Sequence, residues 1–97
     1  MIVYIAGKIT GDENYRAKFE AYAAMERERV DVVLNPAILP FGLTQADYMR
    51  ICFAMLDCAD AAYFIQDYRE SQGAALEWAY CQKICKPCAV YTTIPVL

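Results

Sequence analysis

The sequence predicts an α/β fold: a small flavodoxin-like or Rossmann-like parallel sheet of four strands in order 2-1-3-4, with helices on both faces. Three observations predict it. Four short apolar runs, Ile2–Ala6, Val30–Leu34, Ala61–Ile65 and Ala89–Thr92, each stop at a Gly, Pro or polar residue. The first three are each followed by a helix-length stretch that opens on a capping residue, Asp12, Thr44 or Ser71. Strands alternating with helices at this spacing form a parallel sheet with right-handed crossovers.

Ile2–Ala6 is a buried strand closed by Gly7, and Gly7–Gly11 is a loop. Asp12 caps a helix running to about Arg29, with Phe19, Tyr22, Ala23 and Met25 on its apolar face. The second strand, Val30–Leu34, ends at Asn35-Pro36, and the loop to Leu43 holds Pro40 and Gly42. Thr44 caps the next helix, Gln45–Cys58, where Tyr48, Cys52, Met55 and Leu56 fall at helical spacing. Strand three is Ala61–Ile65, Gln66–Glu70 is a polar loop, and Ser71–Ile84 is the third helix. Pro87 stops it before the fourth strand, Ala89–Thr92.

The 97 residues suffice for a single domain, 1–97. Hydrophobic residues make up 59% of the chain, so part of its surface is expected to be covered by another copy, in a homodimer or larger homo-oligomer. The helix Gln45–Cys58 carries Tyr48, Met49, Ile51, Phe53, Met55 and Leu56, more than one buried face needs, and is the expected contact. A net charge of −3 without a basic block argues against duplex nucleic acid and anionic membranes as partners. Met1 leads directly into a strand, so no signal peptide is expected, and no run approaches the roughly 20 apolar residues of a membrane span. Five cysteines, an odd number, suit reduced thiols in the cytoplasm. Cys81, Cys85 and Cys88 lie close together, but without a His or a second Cys-x-x-Cys pair they read as small hydrophobes, not metal ligands. No cofactor is expected.

On open parallel sheets, ligands bind beyond the strand carboxyl ends, where strand order reverses. The loops after strands one and three flank that crevice. Gly7 and Gly11 let backbone N–H groups approach an anion before a helix, with Thr10 adding a hydroxyl and Lys8 a cation. The plain alternative is a turn that needs Gly only for its dihedrals. Ser71-Gln72-Gly73 offers a second helix N-terminus. Glu77 stands among Ala74, Ala75, Leu76, Trp78 and Ala79, where a carboxylate must be exposed, paired or functional.

Tyr4-Ile5-Ala6-Gly7-Lys8-Ile9-Thr10-Gly11 resembles the opening of nucleoside 2-deoxyribosyltransferases and the related deoxynucleoside 5′-monophosphate N-glycosidases. Ser71-Gln72-Gly73-Ala74-Ala75-Leu76-Glu77 resembles their second hallmark, Gly followed four residues later by Glu, and Asp60-Ala61-Ala62-Tyr63-Phe64 the strand start before it. The resemblance covers most of the chain, in the same order, and is nearest to short phage and bacterial members.

The resemblance implies that Glu77 is the nucleophile that attacks C1′ of the sugar and that Tyr4 orients it. It places Gly7, Ile9, Thr10 and Gly11 around the sugar, and Ser71 and Gly73 at its 5′ end. Lys8, and Asn35 at the end of strand two, complete the expected substrate-binding set. Ser71, where nucleoside-specific members carry an acid, points to a 5′-monophosphate. One position departs from the pattern. Members keep an Asp eight residues before the Asp at the start of strand three, and that position is Cys52 here. A thiol is a poor substitute for a carboxyl that protonates the leaving base. Asp47 and Asp57 share the helix without the matching spacing. Two functions are therefore expected: N-glycosidic bond cleavage or deoxyribosyl transfer on a deoxynucleoside 5′-monophosphate, or non-catalytic nucleotide binding in a pocket that lacks its helper acid.

Overall fold

The computed structural model describes residues 1–95. Its elements are β1 (Ile2–Ala6), α1 (Tyr15–Arg27), β2 (Val32–Leu34), α2 (Gln45–Cys58), β3 (Ala61–Phe64), α3 (Gln72–Ile84) and β4 (Cys88–Val90), with 3₁₀ turns at Pro36–Ile38 and Gln66–Glu70. The four strands form one parallel sheet in the order β2-β1-β3-β4. No helix among the described residues is long and apolar enough to cross a membrane.

The alternation of β1 sorts the core into two layers. Tyr4 and Ala6 point into a cluster with Cys52 and Leu56 of α2 and Ala74 and Cys81 of α3. Ile5 points the other way, onto Phe19, Tyr22 and Ala23 of α1 and Tyr91 beyond β4. Helices therefore cover both faces, and Tyr4 is committed to the side that carries α2 and α3. Against the sheet, Gly7 is needed for close approach: a Cβ there would stand 3.0 Å from Ile65 Cβ.

Several boundaries differ from expectation, each for a local reason. The first helix begins at Tyr15, not Asp12, because Asp12 Oδ1 accepts from Asn14 N (2.9 Å) and holds a turn ahead of the helix. Val30 lies outside β2, since its N–H donates to Glu26 O in the turn leaving α1. The polar stretch Gln66–Glu70 winds into a 3₁₀ turn, and Ser71 caps α3, accepting from Ala74 N at 3.3 Å. The fourth strand spans Cys88–Val90, and Tyr91 just beyond it still donates its backbone N–H to Phe64 O at 2.9 Å. The Tyr91 ring is buried on Tyr22 and its hydroxyl donates to Glu26 Oε1 at 3.0 Å. Glu26 is itself fully buried, and its Oε2 has no partner among the described residues.

Candidate functional site

A cavity of about 360 Å³ opens at the carboxyl ends of β1 and β3, the edge at which the strand order 2-1-3 reverses. The loop after β1 forms one wall through Gly7, Ile9, Thr10, Gly11 and Asp12. Gly11 sits at φ +86°, a conformation that L side chains rarely adopt. Lys18 of α1 fastens this loop from behind. Its ammonium donates to Lys8 O (2.9 Å) and pairs with both Asp12 and Asp67, while Asp67 Oδ1 accepts from Lys8 N (3.0 Å). The ammonium holds the Asp12 carboxyl below its ordinary range, so Asp12 meets the cavity as an anion.

The N-terminal end of α3 supplies a second wall, with Ser71, Gly73, Ala74 and Glu77. Gly73 has little room for a side chain, since a Cβ would lie 3.3 Å from Met49 Sδ. The third wall is one stripe of α2: Gln45, Tyr48, Met49 and Cys52, spaced at i, i+3, i+4 and i+7. Tyr15, Pro36, Leu39 and Phe41 close the remaining side. Tyr48 Oη donates to Pro40 O (2.6 Å) and Arg16 Nη2 donates to Leu39 O (2.9 Å), so both hold the loop between β2 and α2 in place.

Tyr4 of β1 and Glu77 of α3 meet across the interior. The Tyr4 hydroxyl donates to Glu77 Oε2, with Tyr4 fully buried and Glu77 only 6% exposed. Burial pushes the Glu77 carboxyl up to about 7, and the Tyr4 hydrogen bond offsets only part of that push. Tyr4 is itself held far above the ordinary phenol range, first by burial and then by the neighbouring carboxylate, so it remains a proton donor in this bond. Cys52 packs in the same buried cluster as Tyr4, and burial pushes its thiol up to about 11. A carboxyl that titrates near neutrality in a cleft can be a nucleophile in one protonation state and an acid in the other.

Of the residues singled out from sequence, Gly7, Ile9, Thr10, Gly11, Ser71, Gly73 and Glu77 line the cavity, and Tyr4 stands behind Glu77. Two do not belong there. Lys8 turns its ammonium towards Glu70, at 3.7 Å, and contributes backbone contacts to the loop instead of a charge to the cavity. Asn35 uses its side-chain oxygen to cap the Pro36–Ile38 turn, accepting from Ala37 N at 2.9 Å, and borders a separate hollow with Arg16 and Glu20. Asp47 pairs with Arg50 and Asp57 accepts from Tyr80, so neither carboxyl lines the cavity.

Sequence reasoning missed Asp12, Tyr15, Phe41, Gln45 and Met49. The stripe Gln45-Tyr48-Met49-Cys52 was the available signal, because its spacing is that of one helix face ending on the position that departs from the resemblance. Among the described residues, no three His, Cys, Asp or Glu side chains are grouped to hold a metal ion.

No curated protein and no solved structure matches the chain. A family model does match, over residues 1–90, and on that match the chain belongs to the family described as a domain of unknown function, DUF4406.

Proposed function

We propose that the cavity binds a deoxynucleoside 5′-monophosphate and that Glu77 attacks C1′ of its sugar, for hydrolysis or for transfer of the deoxyribosyl group. The observation that carries this reading is Glu77 itself: a buried carboxyl, oriented by Tyr4 and titrating near neutrality, in the wall of a ligand-sized cavity. The carboxylate displaces the base, a glycosyl ester forms, and water or a second base then takes the sugar. Incubation with a panel of nucleosides and 5′-monophosphates, with free base measured by chromatography, tests it. Base release that requires the protein is expected, and its absence across the panel overturns the reading.

Ser71 and the N-terminus of α3 support the 5′-phosphate assignment. Hydrogen bonds from backbone N–H groups to an anion contribute about 1.5–3 kcal/mol each when well formed. A monophosphate is expected to bind at least roughly tenfold more tightly than its nucleoside, which needs only about 1.4 kcal/mol. Equal affinities by calorimetry would remove the 5′ end from α3.

A second reading is favoured by one residue. The Cys52 thiol, at about 11, is too weak an acid to serve a leaving base well near neutral pH. On this reading the protein binds nucleotides without turning them over, and the same panel gives binding with no free base.

A homo-oligomer built on α2 belongs to the proposal. Ile51 and Phe53 on that helix stay only half-buried in the single chain. Light scattering at micromolar concentration is expected to give at least twice the chain mass of 11.0 kDa. A monomer mass rules the assembly out.

A further inference from the structure

We propose that the cavity selects N-glycosides whose base carries a permanent positive charge, such as an N-alkylated purine or a pyridinium, over those with neutral bases. The inference rests on the proposed attack of Glu77 on C1′ and names the substrate class for it.

Three features of the cavity argue for it. The first is charge. Asp12 and Glu77 line the cavity, whereas no Lys or Arg among the described residues does. The nearby ammonium groups face away from it: Lys18 is held by Asp12, Asp67 and the Lys8 carbonyl, and Lys8 is turned to Glu70. Tyr4 takes one oxygen of Glu77, and the other accepts no hydrogen bond from the described residues. The second is the aromatic wall of Tyr15, Phe41 and Tyr48, whose ring faces attract cations. Arg16 already lies over two of these rings, 4.0 Å from the Phe41 centre and 5.7 Å from the Tyr15 centre, which leaves Tyr48 and the rest of the Phe41 ring, 72% exposed, to a ligand.

The third feature is the lack of a proton donor matched to a neutral leaving base. Asp12 is kept anionic by Lys18, the Cys52 thiol is pushed up to about 11, and Asp47 and Asp57 lie elsewhere. A neutral purine or pyrimidine leaves as an anion unless an acid protonates it. A cationic base has no such need. A Glu77 oxygen bonds to C1′ as the C1′–N bond breaks, and both electrons of that bond pass to the ring nitrogen and cancel its charge. The base departs neutral with no proton transferred. Water then bonds to C1′, the ester C1′–O bond breaks to restore the Glu77 carboxylate, and the water's proton passes to solvent.

Two measurements on the intact protein test the inference. In the first, the 2′-deoxyribosides of nicotinamide and of 7-methylguanine are compared with those of adenine and cytosine, each also as its 5′-monophosphate. Every rate is divided by its spontaneous rate without protein, which removes the intrinsic advantage of the cationic leaving groups. The acceleration is expected to be at least about 10²-fold greater for the cationic bases, the lower range of what a missing general acid costs. Equal accelerations overturn the inference. In the second, calorimetry compares 1-methylnicotinamide with uncharged nicotinamide. The pyridinium is expected to bind at least roughly tenfold more tightly, and equal binding overturns the charge selectivity whatever the rates. Tighter pyridinium binding with no cleavage of any substrate leaves the selectivity standing and defeats the glycosidase reading instead.

Discussion

Replacing Glu77 with Gln is expected to lower base release by at least roughly 10³-fold, within the range that loss of a nucleophile costs other enzymes. The amide keeps the shape of the side chain and can still accept the Tyr4 hydrogen bond, so ligand binding is expected to survive. It cannot form a stable glycosyl ester, and the covalent route closes. In the wild type, attack requires the carboxylate, so base release is expected to rise with pH through about 7.

The same substitution has a signature in stability that does not depend on substrate. Burial raises the Glu77 carboxyl from about 4.5 in the unfolded chain to about 7 in the native one. Between those values the native state holds a proton that the unfolded state has lost, so wild-type stability falls as pH rises across this window and levels off above it. At 1.36 kcal/mol per unit, the fall is on the order of 3 kcal/mol. Glu77→Gln lacks the titration, so relative to the wild type it is expected to gain about that much between roughly pH 4.5 and pH 8. Urea unfolding of both proteins at the two pH values measures it. Parallel stabilities would mean that Glu77 is solvated, and the argument from its burial would fail.

The second large effect is expected from Cys52→Asp. Cys52 lines the cavity together with Glu77, so a carboxyl at this position would face both the cavity and the proposed nucleophile. Two carboxyls that interact closely do not ionise together, and one is pushed up. A proton is then available near neutral pH for a departing base. General acid help is typically worth about 10²–10⁴-fold, and that gain is expected on neutral deoxynucleoside monophosphates. A permanently cationic base needs no proton and is expected to gain nothing. The comparison therefore separates acid catalysis from a general improvement of the pocket. A folded variant with no gain on neutral bases would show that position 52 does not reach the leaving group. A wild type already fast on neutral bases would mean that a cavity group other than position 52 supplies the proton, and would turn attention away from Asp47 and Asp57, which lie outside the cavity.

The architecture was legible in the sequence because each strand is a short apolar run and two of the three helices carry a strong cap. Thr44 and Ser71 cap as the residue types suggest, whereas Asp12 is drawn into a turn and an ion pair with Lys18. The wall residues on the two loops were legible because glycine and serine there act through local backbone geometry. The directions of long side chains were not. Lys8 is set by Glu70, and its backbone by Asp67, 59 residues away. Asn35 carries a cap-forming residue type at a strand end, and its side chain caps the turn that follows, outside the cavity. On α2, apolar spacing marks a face without saying what covers it. The stripe from Gln45 to Cys52 surfaces a cavity where the sequence suggested burial or a partner.

The bond between Tyr4 and Glu77 joins residues 73 positions apart, across a strand and a helix from opposite ends of the chain. Bringing so distant a pair together carries the entropy cost of closing a long loop, which the intervening strands and helices of the finished sheet hold in place. The chemistry is thus a property of the finished topology. A nascent chain, a fragment or a partly opened intermediate holds the carboxyl in water, ordinary in its acidity and without its orienting phenol. On the proposed function, a chain in which these two ends have not met would lack the buried, oriented carboxyl that the reaction needs.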